Sequence, residues 1–319
     1  VSPYRTWVSE IMLQQTRVQA VLPYFQRFME AVPDVQTLAE LPEEQLLRLW
    51  QGLGYYSRAR NLKKAAQTVV NDCGGVFPDT YEALRGLAGI GDYTAGAILS
   101  IAFGQAVPAV DGNVLRVAAR LTGCGDNVLD PKVRAAFRQA MAAVMPQDRP
   151  GDFNQALMDL GAGVCLPNGR PLCDRCPAAA FCTARERGTQ GELPVREKKK
   201  EKRQVRRTVF IMKQTDGRVA LRQRPDKGLL AGLWEYPHVE GRLDETAAAV
   251  QLAQWGVTVR QWEKTIQARH EFTHLRWDMT GYLLTVTGGG QPDWLWADGA
   301  QRRQRAIPSA FQKFTDELE

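Results

Sequence analysis

Four of the six cysteines fall within eighteen residues, at Cys165, Cys173, Cys176 and Cys182, spaced C-x7-C-x2-C-x5-C. Thiolates set this closely suit one compact ligand set converging on a single centre, so the chain around them is expected to wrap an inorganic core. Only one C-x2-C pair is present, and the two-knuckle pattern of a zinc ribbon is missing. The spacing favours an iron–sulfur cluster; a structural zinc and a pair of disulfides are the alternatives it leaves open. Disulfides fit poorly with a chain that shows no secretory signal, and the distant Cys73 and Cys124 read as ordinary small apolar residues.

The apolar patterning changes character part-way along the chain. Up to about residue 188 it reads as helices broken by short turns. Ser9 to Phe28 carries Ile11, Leu13, Val18, Val21, Leu22 and Phe25 at helical spacing. Leu41-Pro-Glu-Glu and Asp130-Pro131 have the proline and acidic signals of helix starts. Thr94 to Phe103 is apolar nearly throughout, as expected of a helix buried on most sides. Beyond residue 206 the signals turn to strands. Thr208–Lys213 and Arg218–Gln223 flank Gln-Thr-Asp-Gly, a hairpin signal. A helix is expected over Ala247–Trp255, a strand over Leu275–Thr285 and a short helix over Ser309–Glu317. Together these predict an all-α domain over 1–188 and an α+β domain over 207–319, joined by a basic linker over 189–206.

At 319 residues the chain is long enough for two such domains. No apolar run is long enough to span a bilayer, and no targeting segment is visible, so a cytoplasmic location is the expectation. The chain begins at Val1 in mid-pattern. Net charge is +6, but residues 196–207 read REKKKEKRQVRR. A run like this is commonly a solvated linker; its cations would also suit a phosphate backbone through counterion release.

Leu87-Ala-Gly-Ile-Gly-Asp-Tyr-Thr-Ala-Gly-Ala-Ile places Gly89 and Gly91 in a turn between two helices. The glycines allow close backbone approach, and the amides opening the second helix can hold a phosphate oxygen. This is a helix–hairpin–helix pattern, which grips a DNA strand without reading its bases. Twenty residues on comes Val110-Asp111-Gly112-Asn113-Val114. Asp111 reads as an N-cap, a position whose backbone N–H groups favour a negative carboxylate. Glu10 has the opposite surroundings, flanked by Val8, Ile11, Met12 and Leu13, where desolvation would favour its neutral form. Two carboxyls in divergent environments are the ingredients of acid-assisted glycosidic cleavage.

Trp-Val-Ser-Glu-Ile-Met-Leu-Gln-Gln-Thr (7–16), Gly-Leu-Gly-Tyr-Tyr-Ser-Arg-Ala-Arg (52–60), the 87–98 hairpin, Val-Asp-Gly-Asn-Val (110–114) and the four cysteines closely resemble the MutY family. These are adenine DNA glycosylases of the helix–hairpin–helix, iron–sulfur superfamily. The resemblance continues through Phe272-Thr273-His274 and Ile307-Pro-Ser-Ala-Phe-Gln-Lys313. It implies a [4Fe-4S] cluster on Cys165, Cys173, Cys176 and Cys182. It implies that Glu10 protonates adenine, that Asp111 meets the oxocarbenium-like sugar, and that Tyr93 and Asn113 position them. Gln15 and Tyr55 match residues that enter the base stack during flipping. The expected partner is double-stranded DNA with adenine opposite 8-oxoguanine or guanine. The expected enzyme is a monomer and largely monofunctional, since Tyr93 stands where a strand-cleaving lysine would be required. A bacterial-type, nucleoid-associated location is implied too.

The chain departs from the family in three places. The first cysteine gap is one residue longer than usual, the family's helix ahead of Glu10 is not in the sequence, and Leu115 stands where some relatives carry lysine. The second domain resembles the Nudix fold of MutT-type pyrophosphatases, with Gly232-Leu-Trp-Glu-Tyr-Pro leading into it. Gly241-Arg-Leu-Asp-Glu-Thr-Ala-Ala-Ala-Val lacks the carboxylate set that holds magnesium, so its hydrolytic site is expected to be lost. In the family this domain reads the 8-oxoguanine, with Phe272 as a wedge and Thr273 and His274 as polar contacts.

Overall fold

The computed structural model describes residues 1–196 and 202–318. The chain divides into two compact units, one of Val1–Leu41 with Arg60–Lys199 and the other of Pro42–Ala59 with Lys200–Glu319.

The helices run α1 (Pro3–Leu13), α2 (Val18–Ala31), α3 (Val35–Glu40), α4 (Glu43–Leu49), α5 (Ser57–Asp72), α6 (Tyr81–Gly86) and α7 (Asp92–Ala102). They continue with α8 (Gly112–Thr122), α9 (Pro131–Val144), α10 (Pro150–Gly163) and α11 (Thr183–Arg187). The apolar stretch from Ser9 to Phe28 is broken at 14–17, where Gln15 takes φ 58. Periodicity alone could not show this break, because the apolar spacing resumes in phase beyond it. Starts are set by capping: Asp34, Thr80, Asp111 and Asp130 each accept backbone N–H bonds at the head of a helix, and α9 has Pro131 at its first position.

α7 is the central helix of the first unit, with every residue from Thr94 to Ser100 buried. The extended stretch after it, 105–110, runs close against α7. A Cβ on Gly96 would lie 2.4 Å from the Pro108 carbonyl oxygen. Asn154 of α10, 2% exposed, satisfies that stretch's backbone: its Oδ1 accepts from Ala109 N at 3.0 Å, and its Nδ2 donates to Val107 O at 3.0 Å. The same amide donates to Ser100 Oγ at 2.8 Å, tying α7, α10 and the 105–110 segment together.

The second unit is built on a mixed sheet: β1 (Arg203–Lys213), β2 (Val219–Gln223), β3 (Trp234–Glu235), β4 (His238–Glu240), β5 (Thr258–Glu271), β6 (Leu275–Thr287) and β7 (Trp294–Ala297). Strand order is β3-β2-β1-β6-β5, with β4 added to β1 and β7 to β2. β1 and β6 run parallel, in register from Arg203 against Leu275 to Lys213 against Thr285. Alternation along them makes two cores. Val205, Val209, Ile211, Trp277, Met279 and Leu283 face Phe311 and Phe314; Phe210, Met212, Leu284 and Val286 face Ala248 and Leu252 of α12 (Glu245–Gln254). Two short helices, α13 (Gly299–Arg303) and α14 (Gln312–Thr315), follow.

The sequence reading missed β5, a fourteen-residue strand. Most of its side chains are exposed and polar, so it carries no clear alternation; backbone pairing with β6 from Thr258 against Thr287 to Glu271 against Arg276 holds it in the sheet. Described residues of the linker expected over 189–206 pair with the helical unit at one end and enter the sheet at the other. Leu193 is buried and its carbonyl oxygen accepts from Arg120 Nε at 2.9 Å; Val195 O accepts from Val128 N at 3.1 Å. β1 already begins at Arg203. The lysine-rich centre of the basic run, 197–201, lies outside the described residues. No helix among the described residues is long and apolar enough to cross a membrane.

Gly96→Ala should destabilise the protein by about 1–3 kcal/mol, because the methyl meets backbone that the Asn154 bonds hold in place. Denaturant unfolding would measure this, and an unchanged midpoint would show that the 105–110 segment yields freely.

Candidate active site and cluster loop

α1, α7, α8 and α10 surround a cleft of about 650 Å³ lined by Glu10, Gln15, Tyr93, Asp111 and Asn113, among others. Glu10 enters from α1 and is 7% exposed. Its carboxyl is held above the ordinary value, first by burial; the hydrogen bond from Tyr93 opposes this, and the negative charge of Asp111 adds to it. The Tyr93 hydroxyl lies 2.5 Å from Glu10 Oε2 and 3.0 Å from Met158 Sδ. Burial and the neighbouring Glu10 push the Tyr93 phenol upward, so it remains a neutral hydroxyl.

Asp111 is the N-cap of α8. Its Oδ1 accepts from the backbone N–H of Asn113 at 2.8 Å and of Val114 at 2.7 Å, and its Oδ2 accepts from Asn113 Nδ2 at 2.9 Å. The capping and the functional readings of this residue are therefore compatible: the bonds that cap the helix also fix the carboxylate at the cleft wall. Asn113 is itself held, because its Oδ1 accepts from Arg116 Nη2 at 2.9 Å. A Cβ on Gly161 of α10 would lie 2.6 Å from Asn113 Cβ, so only glycine allows α10 this close.

The wall contributed by α10 was not foreseen. Gln155, Met158, Asp159 and Ala162 line the cleft, at spacings of three, one and three that share one helical face. That face was visible in principle, but nothing in its chemistry set it apart from an ordinary amphipathic helix.

The hairpin expected at Gly89 and Gly91 joins α6 to α7. Gly89 has φ +78, and a Cβ there would lie 2.8 Å from Asn61 Cβ of α5. Gly91 is the N-cap of α7 and supplies no side-chain bond to the first amides of that helix. Arg85 brackets the turn, donating to Ile90 O at 2.8 Å and pairing with Asp92 at 2.7 Å.

No disulfide joins any of the six cysteines in this structure. Cys165, Cys173, Cys176 and Cys182 line one cavity with Val117, Leu121, Leu160, Val164, Pro171 and Ala179. Among the described residues no three His, Cys, Asp or Glu side chains converge closely enough to hold a single ion. Four cysteines on one cavity are a donor set that fits a thiolate-held metal centre. Two buried arginines of α8 reach this loop. Arg116 Nε donates to Cys165 O at 2.8 Å and Nη2 to Gly161 O at 2.6 Å. Arg120 Nη1 donates to Cys165 Sγ at 3.2 Å and to Leu166 O at 2.9 Å. The two arginines stand four residues apart on α8, which in the sequence reads only as one more helical stripe.

The sheet unit holds the other expected site residues. Phe272-Thr273-His274 forms the tip of the β5–β6 hairpin, closed by Phe272 N donating to Leu275 O at 2.8 Å. Thr273 and His274 are exposed. Phe272 is half-buried, its ring 4.9 Å from that of Trp277 and packed on the core. In the same unit Tyr55 is 47% exposed with φ 48, and its hydroxyl lies 3.2 Å from Thr273 Oγ1; Tyr56 is buried.

Residues 8–143 match the family described as HhH-GPD superfamily base excision DNA repair protein, and 208–317 match the NUDIX domain. The chain is 35% identical to an adenine DNA glycosylase of Rattus norvegicus, the match covering 97% of this chain and 70% of that one. It is 36% identical to that of Homo sapiens, covering 89% and 61%. A relative from Buchnera aphidicola is 32% identical, covering 85% and 76%. Among solved structures a thermostable thymine-DNA glycosylase aligns with TM-score 0.54 and 29% identity, covering 58% of this chain and 85% of that one. The fold of an endonuclease III in complex with DNA aligns with TM-score 0.52 at 24% identity, covering 60% and 87%. The helix–hairpin–helix glycosylase architecture followed by a Nudix-like domain is thus the architecture of this chain.

Gly161→Ala should cost about 1–3 kcal/mol and move the backbone amide resonances of Asn113 and Val114, since the methyl can only be housed by displacing Asn113. Resonances at wild-type positions in a folded variant would show that α10 does not set the position of Asn113.

Proposed function

Because this chain belongs to the adenine DNA glycosylase family, we propose that it hydrolyses the N-glycosidic bond of adenine mispaired with 8-oxoguanine or guanine in duplex DNA. The observation that carries the reading is one cleft in which Glu10 is buried toward its neutral form while Asp111 is fixed by three hydrogen-bond donors.

Adenine must leave the base stack to enter such a cleft. The neutral Glu10 carboxyl then donates its proton to a ring nitrogen. The C1′–N9 bond breaks with its electron pair going to the base, which departs as neutral adenine. Electron deficiency at C1′ is met by Asp111, by charge or by transient bonding, and the Glu10 carboxylate takes a proton from the water that adds to C1′. Tyr93 orients Glu10, and Asn113 orients Asp111. No lysine stands at 93 or 115, so the strand is left intact. The amides after Gly89 and Gly91 receive a backbone phosphate, and Gln15 and Tyr55 fill the stack left by the flipped base. Adenine is a normal base, so selectivity has to come from the opposite strand; Thr273 and His274 are the exposed polar groups for reading it. The enzyme acts as a monomer in the cytoplasm, at the bacterial nucleoid.

Cys165, Cys173, Cys176 and Cys182 would hold a [4Fe-4S] cluster, which supplies a structural core and charge to the loop that follows α10. Arg120 beside Cys165 Sγ suits a thiolate ligand.

Single-turnover cleavage of duplexes with adenine opposite 8-oxoguanine, guanine or thymine tests this reading. The first should be cleaved fastest. Asp111→Asn should lower cleavage by a factor of about a thousand or more while retaining lesion affinity, because its contribution is confined to the transition state. Thr273→Ala with His274→Ala should erode the preference for 8-oxoguanine over guanine more than the cleavage step. Equal cleavage of all three duplexes by the wild type would overturn the substrate assignment.

Metal analysis provides a separate check. Anaerobically purified protein should be brown and contain about four iron atoms per chain, and Cys176→Ser should lose that iron. Stoichiometric zinc without iron would refute the cluster.

A further inference from the structure

Tyr93 has one hydroxyl hydrogen and two acceptors within reach. Glu10 Oε2 lies at 2.5 Å and Met158 Sδ at 3.0 Å. The acceptor that receives the hydrogen depends on the state of Glu10. An ionised Glu10 is by far the stronger acceptor and takes it. A protonated Glu10 needs an acceptor for its own O–H, and the phenol oxygen beside it can serve, since a phenol both donates and accepts. The phenolic hydrogen is then displaced from Glu10, and the group next to it is the Met158 thioether, a weak acceptor.

We propose that Met158 is a positioning residue for acid catalysis: its sulfur takes the Tyr93 hydrogen, which frees the Tyr93 oxygen to accept from protonated Glu10 and holds that acid ready to deliver its proton. The inference rests on the reading of Glu10 as the general acid. Without an acceptor at position 158, Glu10 is the acceptor the structure leaves beside the Tyr93 hydroxyl, and that arrangement favours the ionised carboxylate. The sulfur therefore decides whether Tyr93 opposes or supports the protonated acid.

Other groups facing Glu10 do not depend on position 158. Asp111 on α8 adds negative charge that favours neutral Glu10, and Asp159 on α10 lines the same cleft. Arg116 reaches the site through Asn113. From α2 only Val18 lines the cleft, and Ser9 on α1 donates to Thr6 O at 2.8 Å. These influences are common to wild type and variants and cancel in the comparison.

The test is single-turnover cleavage of an adenine:8-oxoguanine duplex across a pH series. The rate of the wild type should fall as pH rises through the midpoint for Glu10, because the protonated form is the active one. Met158→Leu conserves volume and removes the acceptor. It should move that midpoint down by about half a pH unit, the scale of one hydrogen bond, so that its deficit against wild type grows as pH rises. Met158→Gln, whose amide oxygen can take the same hydrogen, should keep the midpoint at or above wild type. In a Tyr93→Phe background Met158→Leu should produce no further shift, since the route runs through Tyr93.

A loss of rate equal at every pH, a downward shift with glutamine, or a shift that persists undiminished with Tyr93→Phe would each overturn the proposal. Glu10→Gln separates the two layers. If that variant cleaves at the wild-type rate, the acid assignment fails and the role of Met158 with it. If it is inactive while the Met158→Leu profile coincides with wild type, the role of Met158 fails alone.

Discussion

Burying a guanidinium costs several kcal/mol unless its donors are met, and Arg116, 3% exposed, meets them with carbonyl oxygens instead of a carboxylate. Cys165 O, Gly161 O and the amide oxygen of Asn113 converge on it. Desolvation pulls its pKa below the ordinary arginine value, and the nearby Asp111 charge opposes that. Three pieces of chain therefore have to be in place before this cation is tolerable: α8 with the asparagine beside its N-cap, the end of α10 and the first cysteine's backbone. The cysteine loop and the cleft share this one support, and neither can be built around a misplaced Arg116.

A second layer of constraint is steric. Gly96 lets the 105–110 segment lie on α7, Gly161 lets α10 lie on Asn113, and Asn154 satisfies the backbone between them. The carboxylate of Asp111 is thus fixed from both sides of the chain, by packing before it and by hydrogen bonds after it. On the proposed role of Asp111 such preorganisation matters, because little rearrangement remains to be done as the bond breaks.

Features that depend on short spacing were legible in the sequence. The cysteine quartet, the Gly89-x-Gly91 turn and the capping character of Asp111 each lie within a few residues, where local geometry follows from residue type. Glu10 was legible through its apolar neighbours. Features that depend on meeting a distant partner were not. The break at 14–17 interrupts a pattern that keeps its phase, and β5 is held by pairing and not by a buried face. Nothing local marks Arg116 and Arg120, because the carbonyl and sulfur groups that hold them lie 45 and more residues along the chain.

The segment 42–59 illustrates what a chain boundary does and does not mean. It lies early in the sequence, among helices, yet it clusters with the sheet. Gln51 Nε2 donates to Ile307 O at 3.1 Å, Arg305 pairs with Glu44, and Tyr55 meets Thr273. Cutting the polypeptide at the basic run would therefore separate the letters but not the allegiances, leaving a helix and a turn whose neighbours had gone with the other fragment. Any attempt to express, swap or transplant either half as a cassette has to follow the spatial seam, which crosses the chain three times, and not the single seam that composition suggests.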